Sequence, residues 1–479
     1  MSYDQNKTPI ADALLYFNKL SPVYFCMPAH HNGAGADSRF TELFGKDVLK
    51  YDLTETPITD DLHEAEGAIK EAELLASELF GSDRTFFLVN GTTCGNEAMI
   101  ISSVYEGQKI LVARNCHKSI LMGLIISGAI PVYIEPEIST TYNSFGSVSP
   151  EKVKDAFEQN SNIKAFILVS PTYYGISSDL KTIAEICHSN GALLLVDEAH
   201  GAHFTFSNQL PLSAMESNAD MASQSIHKTA GSMTQSSMLH IKGNLADISR
   251  VDSALKIVQS TSPSYILMAS LDTARHNLAV NGKKLIRYAI FLSEYLRKSL
   301  NEIDGVTCFG GFIDSSVFAE DTTRIVFSID GLHGFDVYNT LFYKYNICTE
   351  MADEHNVVAI LSYADTIEQA NSLIEAVKCI AAAEVKGFIP DFSCPHIPPM
   401  ALPPRKAYFS EKEYVLLNKA EGMICGEMIA PYPPGIPIIY PGEIFTKETI
   451  AFISEAIKNK RHIHGFSDKT MKKVKIIRP

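Results

Sequence analysis

The amino-acid sequence predicts an α/β protein with a mostly parallel central sheet, a smaller α/β domain and a C-terminal α+β domain. First, short apolar runs alternate with helix-length amphipathic segments from about residue 60, which is typical of parallel strands covered by helices on both faces. Second, a strand-helix-strand pattern follows a long helix and continues to about residue 390. Third, the proline-rich stretch 390–404 separates this region from a final segment with its own helix signals.

The elements of the central region can be placed from their patterns. The polar run 61–66 is predicted to begin an amphipathic helix that continues to Leu79, and Gly81 ends it. A second long helix is predicted over about 279–300. The predicted strands cover residues 85–89, 109–113, 130–134, 165–169, 192–196 and 237–241.

The length of the chain indicates several domains, because 479 residues are too many for one compact core. The patterns divide it into an N-terminal segment (1–60), a large domain (61–280), a small α/β domain (281–390) and a C-terminal domain (391–479). The stretch 390–404 is the expected linker between the last two.

Composition and charge exclude several classes of protein. Hydrophobic residues make up 46% and charged residues 20%, which is ordinary for a soluble enzyme, and the net charge of −14 disfavours nucleic acid as a partner. The apolar stretch 120–134 is broken by two glycines and a proline, so it predicts buried elements rather than a membrane span. The N-terminus lacks an export signal, and nine scattered cysteines without a CxxC pair indicate a cytoplasmic location and no structural zinc.

The segment 90–96, Asn-Gly-Thr-Thr-Cys-Gly-Asn, follows a predicted strand and begins a predicted helix. Backbone N–H groups and hydroxyls at the N-terminus of a helix form a binding site for a phosphate group. When the segment is considered alone, an ordinary capped turn between a strand and a helix is the better explanation, because Gly-Thr-Thr turns are common.

The segment 196–200, Val-Asp-Glu-Ala-His, comes at the end of a predicted strand. Ligands of open α/β sheets bind at the carboxyl ends of strands, where Asp197 can pair with a pyridinium nitrogen. A helix cap or a magnesium ligand is the alternative. The spacing of His200 and His203 also suggests a metal site, but no third ligand is evident, and we expect no metal.

The segment 223–235 is small, polar and rich in hydroxyls, and it contains one lysine, Lys228. A lysine in such a turn forms a Schiff base when its pKa is lowered by desolvation or nearby positive charge. A single lysine is more often a solvated surface residue. Here, however, Lys228 follows a phosphate-binding turn and a strand-end aspartate in order, and this combination predicts a pyridoxal 5'-phosphate (PLP) enzyme.

Seven segments resemble the fold-type-I PLP enzymes, and within them the ornithine/lysine/arginine decarboxylase family. The similarity extends over nearly the whole chain. The matching segments are NGTTCGN at Asn90, RNCHKS at Arg114, SPTYYG at Ser170, VDEAH at Val196, SIHKTAGSMTQ at Ser225, STSPSY at Ser260 and YPPGIPIIYPGE at Tyr432.

The resemblance implies roles for individual residues. Lys228 is similar to the lysine of the internal aldimine, Asp197 to the partner of the pyridine nitrogen, and His117 to the histidine that stacks on the cofactor ring. His227 is expected to protonate the product carbanion or to contact the phosphate. The other cofactor-binding positions are Thr92, Thr93, Cys94, His200, Ser225, Thr261 and Ser262.

The resemblance also implies an assembly and an architecture. Thr261 and Ser262 resemble a loop that reaches the cofactor of the neighbouring subunit, so a homodimer or a higher assembly with shared active sites is expected. The chain has no room for the receiver-like domain of the larger bacterial members, which implies the short form. The segment 1–60 would then cover the active site, and 61–280 would be the PLP-binding domain.

The sequence departs from the family at two places. The family's Pro-Gly-His-Lys run is here Pro28-Ala29-His30-His31, and a Gly-Arg pair is here Gly422-Met423. These departures leave open which basic amino acid is the substrate. The acidic residues considered for its distal cationic group are Glu350, Asp353, Glu427 and Glu443.

The implied reaction is decarboxylation of arginine, lysine or ornithine to an amine that feeds polyamine synthesis, through a quinonoid intermediate. A decarboxylase should not bind the α-carboxylate with a buried arginine, because that stabilises the ground state; Arg324 is the one candidate considered for such a contact. The alternatives are aminotransfer, elimination or cyclisation of a basic amino acid derivative, and a PLP-binding protein without turnover.

Overall fold

The structure is a computed structural model that describes residues 3–383, 387, 389, 392–431, 435–459 and 461–478. Its helices are α1 (Pro9–Leu20), α2 (Ser38–Phe44), α3 (Ala68–Phe80), α4 (Gly91–Ser103), α5 (Lys118–Ser127), α6 (Pro150–Gln159), α7 (Leu180–Ser189), α8 (Ile226–Thr229), α9 (Ile248–Val258), α10 (Tyr265–Asn301), α11 (Gly334–Tyr345), α12 (Ile367–Ala383), α13 (Pro404–Phe409) and α14 (Lys447–Lys458).

The strands begin in the N-terminal half of the chain and continue to its end. They are β1 (Arg84–Leu88), β2 (Lys109–Ala113), β3 (Ile130–Ile134), β4 (Ile138–Ser139), β5 (Ser144–Phe145), β6 (Ile163–Val169), β7 (Ile176–Ser177), β8 (Leu193–Asp197), β9 (Met221–Gln224), β10 (Ser237–Ile241), β11 (Val306–Cys308), β12 (Ala319–Glu320), β13 (Arg324–Ile329), β14 (Met351–Ala352), β15 (Val357–Ile360), β16 (Lys412–Leu416), β17 (Ala430–Pro431), β18 (Ile463–His464) and β19 (Lys473–Ile477).

The described residues form two compact units. Unit 1 contains those of Met1–Ser102, Leu195–Asn208 and Leu212–Lys284, and unit 2 contains those of Ser103–Leu194, Gln209–Pro211 and Leu285–Pro479. No helix of the described residues is both long enough and apolar enough to span a bilayer.

Unit 1 contains both antiparallel and parallel strand pairs. β10 pairs with β1 on one side and with β9 on the other, and the end of β8 pairs with β9 in parallel, which places Asp197 opposite Ser223. Most of the side chains of these strands are buried, and they include polar ones such as Thr85, Ser223 and His240. The carboxyl ends of β8 and β9 therefore lie side by side, each followed by one of the predicted functional segments.

Unit 2 has a parallel layer and an antiparallel layer. β2 pairs in parallel with both β3 and β6. A second sheet has the antiparallel order β11-β13-β15-β14, and its core includes Leu296, Phe327, Leu341 and Val377. The C-terminal part pairs β16 with β19, and a core that includes Phe445 and Ile453 packs there.

Most predicted elements agree with the structure to within two residues, but two helices differ. α3 begins at Ala68 and not at 61, because the carboxylate of Asp60 accepts from the N–H groups of Gly67 (2.8 Å) and Ile69 (3.0 Å) and so caps the helix further along the chain. α10 begins at Tyr265, well before the predicted 279.

The predicted linker is only partly described. Residues 392–403 contain neither helix nor strand apart from one isolated bridge at Met400, whereas positions 390 and 391 lie outside the described residues, as do positions 432–434 of the YPPGIP segment. The division into four segments remains a prediction.

The first turns of α4 pack very closely on β9, and Gly95 permits this contact. A Cβ at position 95 would lie 2.1 Å from Ser223 Oγ and 2.8 Å from Leu88 Cδ1. Neither distance is tolerated in a packed interior. The glycine therefore sets how closely the helix that begins at the predicted phosphate turn approaches the strand that leads to Ser225.

Gly95→Ala should destabilise the protein by about 2 kcal/mol, because overpacking of a tight interior typically costs ~1–3 kcal/mol. Thermal unfolding of the variant measures this. Ser223→Ala removes the nearest clashing atom, so the double variant should recover part of the loss. A Gly95→Ala melting temperature equal to that of the wild type would show that the helix and strand are not held this closely.

Candidate active site

Two hydroxyls face each other at the N-terminus of α4. The Oγ1 of Thr92 lies 2.6 Å from the Oγ of Ser225 and 3.1 Å from the Oγ of Ser237. All three residues are buried. The N–H of Gly91, whose φ is +71°, donates to the carbonyl of Gln235 (2.8 Å), so the turn is joined to the segment that contains Lys228.

This arrangement is suited to a phosphate group. The first N–H groups of an α-helix have no partner within that helix, and its dipole favours a negative charge there. Thr93 is half-buried in this first turn. The thiol of Cys94, by contrast, turns back and donates to the carbonyl of Gly91 (3.1 Å), and burial raises its pKa to about 12. Cys94 can therefore contribute its backbone N–H and not its side chain.

The carboxylate of Asp197 is buried and held in a fixed orientation. Its Oδ2 accepts from Asn96 Nδ2 (2.7 Å), and its Oδ1 accepts from the N–H of Ala199 (3.2 Å). With a donor on each oxygen, the side chain of Asp197 has one orientation at the end of β8.

Lys228 lies in α8, directly after β9, and its Nζ is 3.0 Å from Nε2 of His200. An ammonium group has no lone pair, so while Lys228 is charged the imidazole accepts through Nε2 and carries its own proton on Nδ1. His200 is buried and Lys228 is half-buried. The structure therefore brings these two predicted cofactor-binding residues into contact.

His227 is held by the backbone. Its Nδ1 lies 2.7 Å from the carbonyl of Ser236, and since a carbonyl only accepts, Nδ1 carries the proton. Burial lowers the pKa of His227, partly offset by the hydrogen bond to Ser236, and the charge of Lys228 lowers it further. The imidazole is therefore neutral near pH 7, and its Nε2 accepts a proton more readily than it donates one.

A buried polar network lies behind Asp197. The Oε2 of Glu198 accepts from Gln224 Nε2 (2.8 Å), and its Oε1 accepts from the N–H of Ala214 (2.7 Å). Gln224 Oε1 in turn lies 3.1 Å from Nε2 of His240. Burial raises the pKa of Glu198 to about 8 against the lowering effect of these hydrogen bonds. The network connects the segment that follows β8 with β9 and β10.

The buried carboxyl of Glu198 should make stability depend on pH. Its pKa rises from 4.5 in the unfolded chain to about 8 in the fold, so its stabilising contribution is complete below pH 4.5 and is lost as the pH rises through about 8. Glu198→Gln removes this titration, so the melting-temperature advantage of the wild type over the variant should shrink between pH 5 and pH 9. A difference that stays constant over this range would contradict the assignment.

His117 belongs to unit 2, where it caps α5. Its Nδ1 accepts from the N–H of Ser119 (3.2 Å) and lies 2.9 Å from that residue's hydroxyl. The residue is exposed in the single chain. Three residues earlier, Arg114 forms a buried ion pair with Glu443, with an N–O distance of 2.7 Å.

Thr261 and Ser262 are both exposed in the single chain. The N–H of Ser262 donates to the hydroxyl of Ser260 (3.1 Å), and the carbonyl of Ser260 lies 2.9 Å from Nε2 of His63. Their predicted role towards a neighbouring subunit remains a prediction.

Three of the four acidic residues considered for substrate recognition have contacts within the fold. Glu443 pairs with Arg114, Asp353 accepts from the hydroxyl of Tyr174 (2.5 Å), and Glu427 accepts from two backbone N–H groups. Glu350 is exposed. The structure therefore favours structural roles for these three.

The other two alternatives concern a carboxylate-binding arginine and a metal. The side chain of Arg324 is fully buried, with Nε 3.8 Å from Asp321 Oδ2, and burial lowers its pKa. Among the described residues, no group of histidine, cysteine or acidic side chains has the geometry of a metal site.

Some residues of the site were not predicted individually. Asn96 and Gln235 belong to predicted functional segments, but no role was predicted for either residue. Ser237 was predicted only as part of a strand. Asn96 could have been identified from its position, since the second turn of a helix that begins at a phosphate turn faces the neighbouring strand end. The pairing of Arg114 with Glu443 has no local signal in the sequence, because 329 positions separate the two residues.

Comparisons with known proteins agree with the resemblance over both parts of the chain. The family model for the major domain of Orn/Lys/Arg decarboxylases matches residues 8–346, and the model for the C-terminal domain of these enzymes matches residues 392–473. An arginine decarboxylase of Halalkalibacterium halodurans is 39% identical over 482 aligned residues, which cover 99% of this chain and 98% of that protein. One from Bacillus subtilis is 38% identical with the same coverage.

Solved structures confirm the predicted fold class. The lysine decarboxylase LdcF of Francisella novicida has a TM-score of 0.85 at 23% sequence identity, over 98% of this chain and 81% of that one. The chain therefore belongs to the ornithine/lysine/arginine decarboxylase family and is an amino acid decarboxylase of the fold-type-I architecture.

Proposed function

We propose that this chain is a PLP-dependent decarboxylase of a basic amino acid, with arginine the first substrate to test. One observation carries the proposal: unit 1 brings together the hydroxyl pair of Thr92 and Ser225, the fixed carboxylate of Asp197 and the amine of Lys228. Arginine is favoured because several relatives that align over nearly their full length are named arginine decarboxylases.

The residues of unit 1 fit PLP. Thr92, Ser225 and the first turn of α4 would hold the phosphate group, Asp197 would accept a hydrogen bond from the ring nitrogen, and Lys228 would bind the aldehyde carbon covalently. His117 would stack on the ring and His200 would contact Lys228, in the roles that the family resemblance implies. When bound, PLP supplies an acceptor for the electrons of the broken bond between Cα and the carboxylate.

Residues of the chain itself would stabilise charge and donate the proton. Asp197 would stabilise a positive charge on the ring nitrogen, because both its oxygens are fixed and no reorganisation would be needed during the reaction. Lys228 is the better donor of the proton that Cα must receive, since the neutral His227 has its one N–H directed at Ser236. We propose that His227 instead keeps the segment around Lys228 in place.

The remaining proposals concern the location, the assembly, the use of the product and the specificity of the enzyme. The enzyme would act in the cytoplasm as a homodimer or a higher assembly in which Thr261 and Ser262 reach the partner's site. Its amine product would enter polyamine synthesis. The altered residues of the N-terminal segment are a further element of specificity, and there Nε2 of His30 lies 3.1 Å from Asp52 Oδ2.

A substrate panel tests the proposal. The purified protein with PLP is offered arginine, lysine and ornithine separately, and the products are identified by mass. The expected result is the amine of at least one of them, with arginine the most active. A protein that binds PLP but converts none of the three would remove basic amino acid decarboxylation from consideration.

A further inference from the structure

The turn that carries His117 is held by a buried ion pair within unit 2. Arg114 is the first residue after β2, and its Nη1 and Nη2 donate to Glu443 Oε1 (2.7 Å) and Oε2 (2.8 Å). The two side chains are 6% and 1% exposed. A bidentate pair of this kind fixes direction as well as distance, and it joins the start of the turn to a segment more than 300 residues later in the chain.

Two aromatic rings restrict the guanidinium further. Arg114 Cζ lies 4.2 Å from the ring centre of Tyr440 and 4.8 Å from that of Tyr133. Glu443 is itself fixed, because its Oε2 also accepts from the N–H of Tyr440 (2.8 Å). Arg114 also donates to the carbonyl of Ile438 (3.2 Å). The guanidinium therefore has one orientation, set by residues of the segment 438–443 and by Tyr133.

The turn is also held by contacts of the Arg114 backbone and of Cys116. The backbone N–H of Arg114 donates to the carbonyl of Ile134 (2.9 Å), and the thiol of Cys116 lies 3.7 Å from the hydroxyl of Tyr440. The next residue is His117, which caps α5. At the other end of α5, Arg405 of α13 donates to the carbonyl of Ile126 (2.8 Å). Residues of the C-terminal region thus contact the turn before this helix and the last turn of the helix itself.

We infer that Arg114 and Glu443 are positioning residues that act through His117, holding the imidazole in the orientation needed against the ring of PLP. The inference rests on the proposed function, in which His117 stacks on the cofactor. A buried ion pair often adds little to stability, because apolar residues of similar volume stabilise the fold equally well. It can, however, specify one arrangement of the chain. Here that arrangement includes the turn that leads into His117.

A double-mutant cycle tests the inference. Glu443→Gln, His117→Ala and the double variant are compared for PLP affinity by fluorescence titration of the apoenzyme, and for kcat and KM with the best substrate. Glu443→Gln should weaken PLP affinity and lower kcat, each by about tenfold, with KM changed by less than about twofold. In the His117→Ala background it should add less than about twofold, because groups that act through one another are not additive.

Two further variants keep the test decisive. Arg114→Lys retains the charge and one hydrogen bond, so it should show a smaller loss in the same parameters even if Glu443→Gln folds poorly. The pair of Arg84 with Glu73 provides the control, because its N–O distance is also 2.7 Å and its glutamate is buried, while its arginine is 14% exposed. Glu73→Gln should lower the melting temperature and leave PLP affinity and kcat within about twofold of the wild type.

Two results would overturn the inference: a full effect of Glu443→Gln in the His117→Ala background, or a lower melting temperature with unchanged PLP affinity and kcat. The comparison of kcat requires an active wild type, whereas the comparison of PLP affinity does not. A wild type that decarboxylates no basic amino acid refutes the proposed function instead, and the affinity cycle can then still be completed with PLP alone.

Discussion

Lys228→Ala should abolish covalent attachment of PLP and lower turnover by on the order of 10³-fold or more, because the variant loses both the attachment point and a positioned proton donor. Borohydride reduction of the wild type followed by peptide mass analysis should place the pyridoxyl group on the peptide that contains Lys228. The same treatment of the variant should leave this peptide unmodified. The hydroxyl pair of Thr92 and Ser225, the proposed phosphate cradle, does not involve the lysine side chain, so the variant should still bind PLP reversibly.

A second lysine provides the control for this prediction. Lys256 lies in α9 of the same unit, is partly exposed, and pairs with Asp252 four residues earlier (3.1 Å). Lys256→Ala should retain the reduced adduct and full turnover. An adduct on a different lysine, or wild-type turnover in Lys228→Ala, would contradict the assignment of the anchor.

Asp197→Asn should have the second largest effect, a loss of turnover of about 10²–10³-fold, the range typical for removing one fixed electrostatic partner of a reacting group. The substitution keeps size and shape but removes the carboxylate that is proposed to pair with the ring nitrogen. PLP should still bind through the phosphate cradle and Lys228. Steady-state kinetics at saturating PLP measures the loss separately from cofactor affinity.

Asn96→Ala is the matched variant for this prediction. It leaves the carboxylate in place and removes the 2.7 Å hydrogen bond that orients it, so the expected loss is smaller, about tenfold, as for a charge-assisted hydrogen bond. If Asp197→Asn keeps turnover within a few-fold of the wild type, Asp197 does not act on the ring nitrogen.

The strands could be predicted because each one is marked by its own short apolar run. The runs 109–113, 130–134 and 237–241 are strands with the same bounds in the structure, and each is a short apolar segment next to turn residues. The start of α3 could not be placed in this way. Its cap comes from Asp60, a residue that precedes the helix by several positions and whose carboxylate folds back over the loop.

The site was predictable to the extent that its residues lie in ordered motifs. Thr92 and Ser225 are 133 positions apart, and only the likeness of both segments to one family indicated that they meet. The pairing of Glu443 with Arg114 was not predicted. The motif around Glu443 does not indicate its partner. Arg114 contacts Glu443 only because two segments 329 positions apart pack together in the fold.

The most direct test of the central claim follows the carboxyl carbon of the substrate. The wild-type enzyme with PLP is given arginine labelled at the carboxyl carbon, and, if arginine is not converted, lysine or ornithine labelled in the same way. Labelled carbon dioxide and unlabelled amine should appear in equal amounts, and neither should form with Lys228→Ala. Labelled keto acid without labelled gas would show that the chain uses this site for aminotransfer and that decarboxylation is not its reaction.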